Sequence, residues 1–127
     1  MAKEKVQLEY LFNKVSTASL WNSISTPDGL SDWFADSVSV DSEIFTFRWS
    51  KVEEEAELLA VRQMNSVRFR WLSEDDENSY FEMKIGSNPL TGDTSLTVVD
   101  FADNGEVNDV EDLWNSQIDK LKRKIGA

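Results

Sequence analysis

Residues 108–125 read NDVEDLWNSQIDKLKRKI, and their pattern predicts one long amphipathic helix. The apolar residues of this segment recur at steps of four, four, three and four, which keeps them on one stripe of an α-helix: Val110, Trp114, Ile118, Leu121 and Ile125. Acidic residues crowd the start of the segment and basic residues its end, as the helix dipole favours. Because such a stripe must be buried, the rest of the chain is expected to supply an apolar surface for it.

Capping residues mark both ends of this helix. Asn108 and Glu111 have the spacing of a capping box, in which each side chain bonds an unpaired backbone N–H of the first turn. Gly126 follows the last apolar residue and suits the left-handed backbone that ends many helices. The sequence therefore predicts a helix that starts at Asn108 and ends at Gly126.

Length and charge restrict the class of protein. The 127 residues form one domain, residues 1–127, with no linker or low-complexity segment. The net charge of -11 would repel phosphate groups, so we expect no nucleic-acid partner. The charged start, residues 1–5, and the lack of any long apolar stretch lead us to expect no membrane insertion and a cytoplasmic location.

The chain contains no His and no Cys. This composition excludes His-based triads, His-metal sites, disulfides and thiolate chemistry. Two acidic runs, residues 53–57 and 74–77, lack the oxygen spacing and the Gly of a calcium-binding EF-hand loop, so we interpret them as solvated turns. We expect no catalytic residues, no metal site and no cofactor, and therefore a protein that is not an enzyme.

The segment before the long helix is predicted to be mostly strand. Val6, Leu8, Tyr10 and Phe12 alternate with polar residues, which indicates an opening strand with one buried face. Two short helices then follow, one capped by Ser16 and one begun by Thr26 and Pro27.

From residue 37 to residue 101, turn residues separate a series of strands without helical crossovers, which predicts an antiparallel meander. Alternating apolar residues form rows on one face of this sheet: Phe45, Phe47 and Trp49; Val67, Phe69 and Trp71; Phe81, Met83 and Ile85; Leu96 and Val98. We predict an α+β fold in which a curved antiparallel sheet of about seven strands wraps around the C-terminal helix, with the two short helices between strands 1 and 2.

The strand over residues 52–62 has two readings. If the turns predicted at residues 51–52 and 64–65 are both two residues long, Ala56, Leu58, Ala60 and Arg62 face inward and Leu59 and Val61 face outward. A single bulge would reverse that choice. An inward Arg62 would need a carboxylate, carbonyls, water or an anionic ligand head, whereas an outward Arg62 would lay its stem on apolar surface.

Several short strings carry a resemblance to a known family: STPDGLSDWFAD (residues 25–36), FRW (47–49 and 69–71), LTGD (90–93), DFA (100–102) and LW (113–114). With this order of elements, the sequence resembles the helix-grip fold of START-like lipid-transfer domains, birch-pollen allergens and the C-terminal domain of heat-shock protein 90 ATPase activators. It is most similar to small bacterial START-like domains. The resemblance implies this fold and a central cavity between the long helix and the sheet, but no single activity.

The apolar side chains on the inner face, with Arg62, are candidates for lining such a cavity: Trp33, Phe47, Trp49, Leu58, Arg62, Phe69, Trp71, Phe81, Met83, Trp114 and Ile118. Large aromatic residues at these spacings equally form an ordinary core. Three functions follow. The first is non-catalytic binding of a small hydrophobic or amphipathic molecule; the second is a protein-interaction module of the chaperone-associated kind; the third is a cyclase or hydrolase that uses Tyr, Asp, Glu or Arg.

Overall fold

The computed structural model of the protein describes residues 3–13 and 15–126. The chain forms the following elements in order: β1 (Glu4–Phe12), α1 (Thr17–Ser25), α2 (Pro27–Leu30), β2 (Ser37–Asp41), β3 (Ile44–Trp49), β4 (Val52–Arg62), β5 (Ser66–Trp71), β6 (Phe81–Ser87), β7 (Thr94–Ala102) and α3 (Val107–Ile125). The seven strands form one antiparallel sheet in the order β1-β7-β6-β5-β4-β3-β2. The predicted fold class and meander are confirmed.

Helix α3 buries the predicted stripe against the inner face of the sheet. Trp114, Ile118 and Leu121 are all buried, and they share one core cluster with the aromatic rows of β3, β5 and β6. Gln117 lies on the same side of the helix and is also buried. The fold therefore places this long helix and the row-forming strands around a common interior.

The two ends of α3 differ from each other in how well the sequence predicts them. The helix begins at Val107 after Glu106, and no side chain bonds its first-turn N–H groups, so the capping box predicted at Asn108 and Glu111 is wrong. Asn108 lies inside the first turn, where its side chain cannot take the N-cap position. Gly126 ends the helix as predicted, with φ of 78° and its N–H donating to the Lys122 carbonyl.

The short helices have the predicted caps. Ser16 Oγ accepts a hydrogen bond from Ser19 N at 3.0 Å, and Thr26 Oγ1 accepts one from Gly29 N at 2.9 Å. Gly29 also lets α2 approach α1, because a Cβ at this position would lie 2.0 Å from the Asn22 carbonyl oxygen. The helix pair is therefore closely packed on one side of the sheet.

Two-residue turns join β2 to β3 and β3 to β4, and the second turn lies one residue before its predicted position at residues 51–52. Asp41 pairs with Ile44 and Trp49 pairs with Val52, so the turns lie at residues 42–43 and 50–51. Both loops still contain two residues, and the inner and outer faces are therefore unchanged. Val38 lies opposite Phe47, as the row pattern requires.

A bulge in β4 changes which side chains face inward. The pairing with β5 shifts between Leu58 and Ala60, and the following loop, residues 63–65, has three residues. Beyond the bulge Ala60 pairs with Arg68, on the outer face, so the inward reading is wrong for Ala60 and Arg62 and the bulge reading holds for this half of the strand. The extra residue reverses the alternation, and Arg62 is exposed.

Candidate functional site

An aromatic cluster fills the space between α3 and the sheet, and Phe34 lies at its centre. The Phe34 ring centroid lies 5.2–6.5 Å from those of six other rings: Trp33, Phe47, Trp49, Trp71, Phe81 and Trp114. Phe34 is itself buried. These distances are those of favourable aromatic pairs, so the ring joins the helix to the sheet.

The segment after α2 holds Phe34 in this position through backbone bonds. Phe34 N donates to the Leu30 carbonyl at 2.9 Å, and Trp33 Nε1 donates to the Ser23 carbonyl at 2.8 Å. The Phe34 carbonyl accepts two further bonds, from Trp49 Nε1 at 2.8 Å and from Gln117 Nε2 at 3.1 Å. One carbonyl therefore links strand β3 to helix α3.

The structure brings ten of the eleven candidate residues into one cluster. Seven of these ten are buried: Trp33, Phe47, Phe69, Phe81, Met83, Trp114 and Ile118. Trp49, Leu58 and Trp71 are partly buried and pack against the others. Arg62 is the exception, because it lies on the outer face near the β4–β5 turn. Contact of any of these residues with a ligand stays a prediction.

The aromatic cluster reaches the surface at a cleft beside α3, which we call the helix cleft. It has a volume of about 320 Å³ and is lined by residues 31–36, Trp49, Leu113, Ser116, Gln117 and Lys120. Leu113 is 59% exposed at its rim. The cleft therefore offers apolar walls together with an amide and an ammonium group.

Sequence reasoning missed Phe34 and Gln117 as site residues. Phe34 belongs to the WFAD string on which the resemblance rests, but its central position depends on the turn after α2. Gln117 lies between Trp114 and Ile118 on the helical stripe, and a polar residue on a buried stripe is a signal for a specific hydrogen bond. Both residues could have been suspected from local pattern, but neither contact could have been derived from it.

Trp114 connects the aromatic cluster to a carboxyl group. Its Nε1 donates to Asp100 Oδ2 at 2.8 Å, and Phe101 N donates to Asp100 Oδ1 at 2.7 Å. Burial raises the pKa of Asp100 above its usual value, while both hydrogen bonds act in the opposite direction. Desolvation therefore dominates at this carboxyl group.

Within residues 3–13 and 15–126, no group of three or more acidic side chains is placed to hold a metal ion. Among the same residues, no helix combines the length and apolarity that crossing a membrane requires.

Comparison with known proteins identifies similar proteins of solved structure. A protein from Bacteroides fragilis, BfR322, solved by solution NMR, is 46% identical, with 98% of this chain and 92% of that chain covered and a TM-score of 0.70. CalU16 from Micromonospora echinospora, at 15% identity, covers 97% of this chain and 76% of its own with a TM-score of 0.76. The Aha1 dimer from Colwellia psychrerythraea, at 13% identity, covers 76% and 75% with a TM-score of 0.64.

The latter two likenesses show the shared fold. No protein with a curated description matches the sequence. The profile of the START-like superfamily domain matches residues 1–127. The chain therefore belongs to the START-like superfamily, as the sequence resemblance predicted.

Proposed function

We propose that the protein binds a small hydrophobic or amphipathic molecule, without chemical conversion, between α3 and the sheet. The observation that carries this proposal is the helix cleft, where the aromatic cluster of the interior reaches the surface. Its volume of about 320 Å³ lies at the lower end of the range typical of small-molecule sites.

The lining of the cleft fits an amphipathic guest. Trp49, Phe34 and Leu113 supply apolar surface, and Gln117 and Lys120 supply polar groups on one side of it. An aromatic or acyl group would lie against the rings, while a polar end would meet the helix side chains.

A larger guest requires a movement of the segment over residues 31–36. The Phe34 ring occupies the space between α3 and the sheet, and its carbonyl is bonded to both Trp49 and Gln117. A guest that shifts the backbone of this segment breaks these two hydrogen bonds, because the main-chain carbonyl of Phe34 accepts both. The indole N–H of Trp49 and the side-chain amide of Gln117 are therefore direct reporters of binding.

The test is a two-dimensional NMR titration of the whole chain with indole, 1-naphthol and lauric acid. Saturable shifts of the Trp49 indole N–H and the Gln117 side-chain amide are expected for at least one probe. Leu113→Glu places a charge at the apolar rim of the cleft and should weaken the binding of that probe about tenfold. Val61→Glu is the control, because Val61 is similarly exposed, at 55%, outside the cleft. Absence of saturable binding, or equal losses in both variants, would contradict the proposal.

The proposed role is non-catalytic and cytoplasmic. A sequence without His and Cys supports both statements, because these residues supply the commonest general base and the disulfides of exported proteins. A cyclase or hydrolase using carboxyl or Tyr groups is the least supported alternative. Turnover of a bound ester, lost in a helix-cleft variant, would establish it in place of pure binding.

A protein-interaction role is the second candidate. Apolar side chains are exposed near the β4–β5 turn, with Leu59 at 45%, Val61 at 55% and Met64 at 41%. Affinity capture from the native cell should then recover a partner that Val61→Glu loses and Leu113→Glu retains. Recovery of no partner with this dependence would contradict the role.

A further inference from the structure

A second cavity, which we call the polar pocket, lies at the end of the sheet where β6 starts short of the ends of β5 and β7. Strand β6 begins at Phe81, whereas β5 continues to Trp71 and β7 continues to Ala102. The gap between the ends of β5 and β7 forms a pocket of about 210 Å³ lined by Lys3, Trp71, Glu74, Ser79, Tyr80, Asp100 and Phe101. Its position is therefore a consequence of unequal strand lengths.

Asp100 supplies the acceptor group of this pocket. Its two oxygens accept one bond each, from Trp114 Nε1 and from Phe101 N. A carboxylate has about four acceptor positions, so this group has capacity for further donors. Because burial raises the pKa of Asp100, a donor that compensates the lost hydration would be favoured there.

Ser79 supplies an independent signal at the same pocket. The residue is 5% exposed, and its Oγ has no hydrogen-bond partner among the described residues. Its backbone is fixed, since Ser79 N donates to the Asp76 carbonyl at 3.0 Å. Buried hydroxyl groups in folded proteins are nearly always bonded, so an unbonded one that lines a pocket indicates a missing partner.

The charges around the pocket favour a cation as that partner. Lys3 forms an ion pair with Glu74, which raises the pKa of Lys3 and lowers that of Glu74. These two charges compensate each other, and the ionised Asp100 side chain then leaves the pocket with one negative charge. Trp71 adds an aromatic wall, which is also favourable for an ammonium group.

We propose that the polar pocket binds the primary ammonium group of a small amine, with the Asp100 carboxylate and Ser79 Oγ as acceptors. The site is distinct from the helix cleft, because Trp71 and Trp114 are packed into the aromatic cluster beside it. The inference therefore does not rest on the proposed function. The small volume restricts the guest to an amine of a few heavy atoms.

An NMR titration of the whole chain with propylamine, as its ammonium ion, tests the site, and 1-propanol is the neutral comparison. The Phe101 amide and the Trp114 indole N–H both donate to Asp100, so these two signals should shift saturably with the amine alone. Asp100→Asn should weaken the binding of the amine at least about tenfold. Ser79→Ala should weaken amine binding about threefold. The variant should keep the fold, because this hydroxyl makes no bond within the described residues.

The control is Asp112→Asn, which removes the same charge from an exposed position on α3 and should leave amine affinity unchanged. Binding of whichever probe gives saturable shifts at the helix cleft should be the same in Asp100→Asn as in the unaltered protein, which separates the two sites. The proposal is overturned by equal responses to amine and alcohol, by no saturable response, or by equal losses in the Asp100 and Asp112 variants. Unchanged amine affinity in Ser79→Ala overturns the role of Ser79.

Discussion

At the residue scale, Phe34 is the side chain on which the interior depends most. Its ring contacts aromatic residues from α3, β3, β5 and β6, and its carbonyl bonds groups on α3 and β3. A single residue in a turn thus adds a bridge between helix and sheet to their direct contacts. Its removal should affect both stability and binding.

Phe34→Ala should lower the free energy of unfolding by about 3–5 kcal/mol, because it leaves a cavity among fixed aromatic rings. Urea denaturation measures this loss. Phe34→Leu, which keeps most of the volume, should cost clearly less. Indole should raise the melting temperature of Phe34→Ala more than that of the unaltered protein; a loss below about 1 kcal/mol would show that the ring is not packed as described.

The raised pKa of Asp100 predicts the direction in which the stability of the protein changes with pH. Its folded pKa is raised above 3.8, so the folded state binds the proton first as pH falls. The stability that Asp100 contributes therefore increases as pH falls through the raised folded pKa, and it decreases as pH rises. The stability that Glu74 contributes changes with pH in the opposite direction. Its folded pKa is lowered below 4.5, so its contribution is lost in acid.

The measurement compares the unaltered protein with Asp100→Asn by urea denaturation between about pH 7 and about pH 4. The pH-dependent contributions of groups common to both proteins, including Glu74, largely cancel in the difference between their free energies of unfolding. The unaltered protein should gain stability relative to the variant as pH falls. A difference that is constant, or that changes in the other direction, would show that Asp100 is not desolvated.

At the scale of elements, the bulge in β4 controls the orientation of its second half. Leu58 pairs with Phe69 and Ala60 with Arg68, so Leu59 is the extra residue. Deletion of Leu59 should leave these pairs intact and produce a regular ladder. We expect a change of no more than about 1 kcal/mol in the free energy of unfolding, measured in urea.

Deletion of Arg68 is the matched comparison. Strand β5 has no extra residue, so the deletion turns either Val67 or Phe69, both buried, to the outer face. We expect the loss of cooperative unfolding in this variant. Equal tolerance of the two deletions would contradict the assigned register.

At the scale of the whole molecule, the net charge of -11 opposes the compact state. Ions screen this repulsion over about 10 Å at 0.1 M salt, so the melting temperature should rise by several degrees from low to moderate sodium chloride. The exposed acidic residues Asp75 and Glu77 provide the control, because Asp75→Asn with Glu77→Gln should reduce the salt effect. A melting temperature that falls with salt would indicate that specific ion pairs dominate.

The local pattern of the sequence was sufficient for most of the architecture. The stripe of α3, the aromatic rows and the caps at Ser16 and Thr26 depend on periods and spacings of a few residues, so they can be recognised without knowledge of distant contacts. Alternation placed the candidate residues of β3, β5 and β6 on one face, and the helical period did the same for Trp114 and Ile118. The WFAD string further indicated the family that the whole-chain match confirms.

Other features depend on contacts between distant segments. No local pattern marks Leu59 as an extra residue, since the bulge is defined by pairing with β5, and the orientation of Arg62 follows from it. Phe34 occupies the interior only because the turn after α2 crosses the space between β3 and α3. The polar pocket likewise exists because β6 does not extend as far as the ends of β5 and β7 on either side of it. Periodicity determines which face a side chain occupies along one regular strand, whereas pairing register and the space between packed elements are set by residues far apart in the chain.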